Sequence, residues 1–178
     1  MADIQIHDKT FIPFISNDKI QSRLDELAAQ INKDYAGLNP LIIGILNGSF
    51  IFAADLFRKL TIDAEISFIK LASYKGTSST GNVVTAIGME EDLHDRHIII
   101  MEDIVDTGRT LFAFLPEIKH RTPASVKIAT FLTKPSALQC DVHADYVGFE
   151  IDNLFVVGYG LDYDGKGRNL ADLYILKK

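Results

Sequence analysis

Apolar and polar residues alternate along this chain with two clear periods, and the periods change at turn residues. From Asn17 to Gly37 the apolar positions Ile20, Leu24, Leu27, Ala28, Ile31 and Tyr35 recur at helical spacing, so this segment predicts an amphipathic helix. Ser16 or Asn17 can cap its start and Gly37 suits its end. Pro40 then introduces LIIGIL, a short continuous apolar run that reads as a strand buried on both faces. Asn47-Gly48-Ser49 is a turn, and Phe50 to Leu60 predicts the next helix.

The pattern continues with a strand over Ala64 to Ala72 and another over Val83 to Ile87. Between them, residues 73 to 82 (SYKGTSSTGN) have almost nothing to bury, which predicts a mobile loop. A strand over His97 to Met101 leads to a helix from about Thr107 to His120. Pro116 falls inside that helix and is expected to kink or shorten it, because proline removes a backbone donor. Val126 to Leu132, Tyr146 to Ile151 and Phe155 to Val157 read as further strands. Strands alternating with helices predict an α/β fold with a mainly parallel sheet covered on both faces. In such sheets ligands bind outside the carboxyl ends of the strands. No repeat and no linker interrupts residues 1 to 178, which read as a single domain.

Composition narrows the function. The formal net charge of −6 offers no basic stripe for nucleic acid. No apolar run reaches the roughly 18 residues of a membrane span, and MADIQIHDKTF shows no secretory signal. The single cysteine, Cys140, cannot form an internal disulfide and reads as a small buried or half-buried residue. These features predict a cytoplasmic protein with no membrane or nucleic-acid partner. Any phosphate group would be held by backbone N–H groups or a metal ion.

The chemistry concentrates in HIIIMEDIVDTGRTL, residues 97 to 111. Thr107-Gly108-Arg109-Thr110 lies between strand and helix, where free N–H groups, the helix dipole, a glycine and two hydroxyls make a phosphate cradle. It is not a Walker loop, because G-x-x-x-x-G-K is absent. Glu102, Asp103 and Asp106 would repel a phosphate unless they bind hydroxyls or a cation. A phosphorylated sugar with Mg²⁺ satisfies both halves of the motif. Asp106, offset from the pair, could act as a base or stabilise positive charge.

IIIMEDIVDTGRT resembles the phosphoribosyl-pyrophosphate (PRPP) motif of type I phosphoribosyltransferases. Other stretches resemble the hypoxanthine-guanine branch of that family: ILNGSFIFAADL its first active-site loop, ASYKG and STG its long mobile loop, FLTK its purine-reading strand. FVVGYGLDY and Arg168 resemble its purine hood and pyrophosphate-side segment. The resemblance covers nearly the whole chain in order. It implies the type I phosphoribosyltransferase fold with a small purine-binding hood. It also implies a purine salvage reaction: hypoxanthine or guanine takes the 5-phosphoribosyl group from PRPP, giving IMP or GMP and pyrophosphate.

The resemblance also implies roles. Glu102 and Asp103 hold the ribose hydroxyls, directly or through Mg²⁺, and Thr107, Gly108, Arg109 and Thr110 cradle the 5′-phosphate. Asp106 approaches the purine N7; a carboxylate is a weak base for a neutral purine, so its expected main value is electrostatic. Lys134 donates to the purine 6-oxo group, Phe155 stacks on the ring, and Val156 reads the base edge through its backbone. Asp162 binds a second Mg²⁺ through water beside the purine, and Arg168 contacts pyrophosphate. Leu46, Asn47 and Gly48 bring backbone contacts to pyrophosphate across a cis Leu46–Asn47 bond. Asn47 stands where many relatives carry lysine, a departure that puts any side-chain role there in doubt. Ser73 and Tyr74 close over the site with the mobile loop. A homodimer or homotetramer is implied, with Ile45 to Leu60 apolar enough to contribute.

Read without the resemblance, Lys134 could be a surface lysine at a strand end, Phe155 core, and Asp162 part of a solvated turn. Two other functions compete: a transferase preferring xanthine, and a regulator that binds PRPP or a nucleotide. The regulator needs a nucleic-acid face, which the charge disfavours, and no helix-turn-helix segment is expected.

Overall fold

A computed structural model describes residues 2–74 and 83–177, with side chains over 2–71 and 87–177. Its centre is a six-stranded sheet built from β3 (Leu41–Leu46), β4 (Glu65–Tyr74), β5 (Val83–Ile87), β6 (His97–Val105), β7 (Ser125–Thr133) and β8 (Tyr146–Glu150). The strand order is β5-β4-β3-β6-β7-β8. Five strands are parallel and β5 returns antiparallel on β4. Helices α1 (Asn17–Asp34) and α2 (Phe50–Lys59) share one face, and α3 (Arg109–His120) covers the other.

The two-sided burial follows from the strand period. Ile42, Ile99 and Met101 pack with α1 and α2, whereas Leu41, Ile43, Ile98 and Ile100 pack with α3. Each central strand therefore reads as an unbroken apolar run. Ser16 is the N-cap of α1, its side chain accepting from the Lys19 N–H. Gly37 adopts φ +76° in the turn that follows.

The elements around the acidic motif differ from expectation. β6 runs on to Val105, so Glu102 and Asp103 lie within the strand rather than after it. Glu102 stays in register with Thr130, and Ile104 with Leu132, so β7 supports the extension. α3 begins at Arg109, because Gly108 takes a left-handed φ of +76° that no helix accommodates. The helix then continues through Pro116 to His120 without being cut short. Pro116 removes the donor to the carbonyl of Phe112, and Phe112 is 54% exposed, where water can take that bond.

Of the second sheet the apolar pattern showed only the strand near Val156, and the resemblance implied it as a hood. It has the order β1-β2-β10-β9, with β1 (Ile4–Ile6), β2 (Lys9–Ile15), β9 (Val156–Val157) and β10 (Leu173–Leu176), all antiparallel. It carries its own small core of Ile6, Phe11, Val157 and Tyr174. This is the hood, assembled from both ends of the chain. Phe155 precedes β9 rather than lying in it. The loop expected over 73 to 82 begins later than its first residues, since the backbone of Ser73 and Tyr74 belongs to β4. The rest of that loop, and the side chains of Ser73 and Tyr74, lie outside the described residues.

Candidate active site

The carboxyl ends of β3, β6 and β7 meet the hood at two adjoining pockets. The larger, about 290 Å³, is lined by residues 102 to 111 together with Ile45, Leu46 and Leu71. The smaller, about 190 Å³, is lined on one side by Asp103, Ile104, Asp106 and Lys134, and on the other by Phe155, Val156, Leu161 and Asp162. Asp103, Ile104 and Asp106 belong to both. The sheet thus offers one wall with two compartments, and Asp106 stands where they join.

The turn at the top of the larger pocket is held from behind. Lys134 N donates to Val105 O at 2.9 Å, and Gln139 N donates to Thr107 O at 3.0 Å. A Cβ on Gly108 would meet the movable end of the Leu138 side chain, Cδ1 at 2.9 Å, so it is the left-handed φ of +76° that favours glycine there. Among the described residues the Arg109 N–H bonds only the Thr107 hydroxyl, at 3.4 Å, and the opening turn of α3 contains no acid. Its N-terminus is electrostatically open to an anion.

Glu102 is nearly fully buried. Burial first, and the adjacent Asp103 carboxylate second, hold its pKa well above the usual carboxylate range. Asp103 accepts from the Ile104 N–H at 2.8 Å. Behind Asp103 the chain has no room for a side chain: a Cβ on Gly48 would collide with Asp103 Oδ2. Gly160, at φ +99°, abuts the Gly48 carbonyl in the same way. The Leu46–Asn47 bond is cis, as the resemblance implied.

Lys134 is buried, and its Nζ donates to Asp106 Oδ2 at 2.9 Å. Phe155 is 45% exposed where it lines the smaller pocket, so it is not core. Arg168 donates to Asp162 Oδ1 at 2.6 Å and to Gly160 O at 2.7 Å, while Asp162 Oδ2 accepts from the Gly165 N–H at 2.7 Å. Asp162 is therefore a structured corner rather than a solvated turn.

Most of the residues singled out in the sequence come together. Glu102, Asp103, Asp106, Thr107, Gly108, Arg109, Thr110 and Leu46 line the first pocket. Lys134, Phe155, Val156 and Asp162 line the second. Gly48 lies directly behind Asp103, and Arg168 reaches the site only through Asp162 and Gly160. Asn47 is exposed and lines neither pocket.

Sequence reading missed the support beneath. Tyr159 OH donates to Asp55 Oδ2 at 2.7 Å, and Gln21 donates to the same oxygen at 3.0 Å. Tyr159 packs on Phe131 with ring centroids 4.7 Å apart. This network anchors the turn that presents Gly160 to Gly48. Its members lie 34 and 104 residues apart, so no local pattern betrays them.

A parallel sheet bearing an acid pair, an anion-receptive turn and an adjoining aromatic pocket defines a sugar-phosphate transferase of the α/β class. Comparison makes the family specific. The model of the phosphoribosyl transferase domain matches residues 16–164, and the chain belongs to that family. It is 44% identical over 165 residues to the hypoxanthine-guanine phosphoribosyltransferase of Streptococcus pneumoniae, covering 92% of each chain. A crystal structure of a hypoxanthine-guanine phosphoribosyltransferase from Bacillus anthracis superposes with a TM-score of 0.86 at 36% identity, covering 93% of this chain and 98% of that one. A hypoxanthine phosphoribosyltransferase from Staphylococcus aureus does so with a TM-score of 0.87 at 36% identity, covering 93% and 91%.

Proposed function

We propose that this chain is a purine salvage enzyme that transfers the 5-phosphoribosyl group of PRPP to hypoxanthine and guanine, producing IMP or GMP and pyrophosphate. One observation carries the reading. The phosphate turn and acid pair line one pocket, the lysine and exposed phenylalanine line the next, and Asp106 borders both.

In this reading the N-terminus of α3 and residues 107 to 110 receive the 5′-phosphate, and Glu102 and Asp103 receive the ribose hydroxyls. The purine enters the second pocket, stacks on Phe155 and presents its edge to the Val156 backbone. Lys134 has little water to fall back on, so its ammonium needs an acceptor. Asp106 supplies one while the pocket is empty, and a 6-oxo group supplies another when a purine binds. A 6-amino group offers only donors there, which disfavours adenine. Released from part of its bond to Lys134, the Asp106 carboxylate faces N7. It stabilises the positive charge that grows on the purine as N9 attacks the anomeric carbon and pyrophosphate leaves.

Mg²⁺ fits this donor set. Among the described residues no cluster of three metal-ligating side chains occurs. Mg²⁺ needs only one or two carboxylates when substrate oxygens complete its shell, and Glu102 and Asp103 supply them. Bound there, the ion would offset the charge of the departing pyrophosphate. Asp162, with both oxygens engaged, would hold a second ion through water. Leu46 to Gly48 present backbone to pyrophosphate, with Arg168 behind. Ser73 and Tyr74 would close over it.

The proposed location is cytoplasmic. No helix of the described residues is long and apolar enough to cross a membrane. Association as a homodimer or homotetramer would use the segment from Ile45 to Leu60, where Phe50 is 41% exposed. A monomer in analytical ultracentrifugation at assay concentration overturns that assignment.

The test is a steady-state assay with PRPP, Mg²⁺ and each of hypoxanthine, guanine, xanthine and adenine, with Asp106→Ala in parallel. Turnover of hypoxanthine and guanine, strongly reduced by the substitution, supports the reading. Turnover of xanthine alone moves it to the neighbouring enzyme. PRPP binding without turnover of any base overturns it.

A further inference from the structure

The turn joining β1 to β2 and the first residue of β2 lie outside both pockets, yet they touch the ring the purine would meet. Lys9 Nζ lies 4.5 Å from the centroid of the Tyr163 ring and 5.7 Å from that of Phe155. Tyr163 meets Phe155 edge to face, centroids 5.8 Å apart at 89°. Asp8 fixes Tyr163 in turn, its Oδ1 accepting the tyrosine hydroxyl at 2.7 Å. His7 completes the clasp, its Nε2 lying 3.3 Å from Asp164 O and its ring edge-on to Tyr163. Phe11, on β2, supports Phe155 from a third direction at 6.1 Å.

Phe155 needs such support. It precedes β9, it is 45% exposed, and its backbone carbonyl accepts from Leu176 N at 3.0 Å. The backbone therefore fixes the position of the Cα and leaves the ring free to turn. A half-exposed ring held only by its backbone would sample several rotamers, and each productive stacking event would first have to order it.

We propose that Lys9, Asp8 and Tyr163 are positioning residues for the purine-stacking ring. Lys9 attracts the faces of Tyr163 and Phe155 together, Asp8 sets the orientation of Tyr163, and the Tyr163 edge fixes the plane in which Phe155 receives a base. The N-terminal hairpin is thereby part of the base-binding apparatus, 146 residues away in sequence from the ring it orients (155 minus 9). This rests on the reading that Phe155 stacks on the purine.

The test separates base binding from chemistry. Lys9→Met and Tyr163→Phe are assayed with hypoxanthine and PRPP varied in turn, in the native and in a Phe155→Leu background. Cation–π contacts at exposed sites correspond to about a twofold to fivefold change in affinity. Both variants are expected to raise the KM for hypoxanthine by about that factor, leaving kcat and the KM for PRPP unchanged. Lys9→Arg, which keeps the cation, is expected to retain the native KM. In the Phe155→Leu background neither substitution should add anything. The chain has no tryptophan, so Phe155→Trp supplies a second readout, and Lys9→Met should lower the anisotropy of that single indole, excited at wavelengths the tyrosines do not absorb. An unchanged hypoxanthine KM in both variants, parallel loss in every kinetic constant, or an undiminished effect in the Phe155→Leu background overturns the proposal. A Phe155→Leu protein with native hypoxanthine KM overturns the stacking assignment itself, and this proposal with it.

Discussion

Lys134 Nζ donates to Asp106 Oδ2 at 2.9 Å, and the pair is lopsided: the lysine side chain is 8% exposed, the aspartate 46%. The aspartate can be hydrated without its partner, whereas the buried ammonium cannot. Replacing Asp106 by alanine therefore costs stability as well as activity. The expected loss is about 1–3 kcal/mol for the stranded donor, read by denaturant unfolding. Lys134→Met, which removes the charge and keeps the bulk, should be close to neutral in stability. It should lower kcat/KM for hypoxanthine by about 10- to 100-fold, the worth of a charge-assisted hydrogen bond. Equal stability loss in both variants contradicts this asymmetry.

Gly48 and Gly160 are stacked behind Asp103, each where a Cβ would strike the next. Gly48→Ala must push the Asp103 carboxylate or the loop itself. Its expected effect is at least a tenfold weaker PRPP affinity with little change in base KM, measured by calorimetry and kinetics. Gly160→Ala adds the cost of a left-handed φ of +99° and is expected to lower thermal stability too.

Tyr159→Phe leaves Asp55 with Gln21 as its remaining side-chain partner. The expected cost is about 1–2 kcal/mol. In a domain of this size that lowers Tm by about 2–4 °C per kcal/mol, which differential scanning calorimetry resolves.

Glu102 carries a raised pKa because burial, and then the Asp103 carboxylate, disfavour its ionised form. Such a group contributes stability that is fully present below the unfolded carboxylate pKa and is lost as pH rises through the folded value. Without Mg²⁺ or PRPP, Glu102→Gln is therefore expected to melt above the wild type at neutral pH. The two should converge as pH falls below the ordinary carboxylate range. A Tm difference independent of pH contradicts the assignment.

What could be read from the sequence was what lay close together in it. The motif from Glu102 to Thr110 is contiguous, so its strand, turn and helix dipole could be assembled on paper. LIIGIL announced a strand buried on both faces. The start of α3 was misplaced by two residues because the left-handed Gly108 is invisible to hydrophobic spacing. The N-terminal hairpin and β10 were missed because β1 and β10 are only three and four residues long, β2 carries Pro13 within it, and β2 pairs with β10 across the length of the chain. Lys134 could not be told from a surface lysine, since its burial and its partner, 28 residues away, exist only in the fold. Phe155 could not be told from core for the opposite reason.

In the proposed reaction the acids of one strand end divide their work: Glu102 and Asp103 would serve PRPP and its metal, and Asp106 would serve the base. The most direct measurement is calorimetric binding of PRPP, with and without Mg²⁺, to Asp103→Asn and Asp106→Asn, alongside turnover of hypoxanthine. The account predicts that Asp103→Asn loses Mg²⁺-dependent PRPP affinity, whereas Asp106→Asn binds PRPP as the wild type does and loses turnover. Native PRPP affinity in Asp103→Asn, or equal loss of affinity in both, would contradict it.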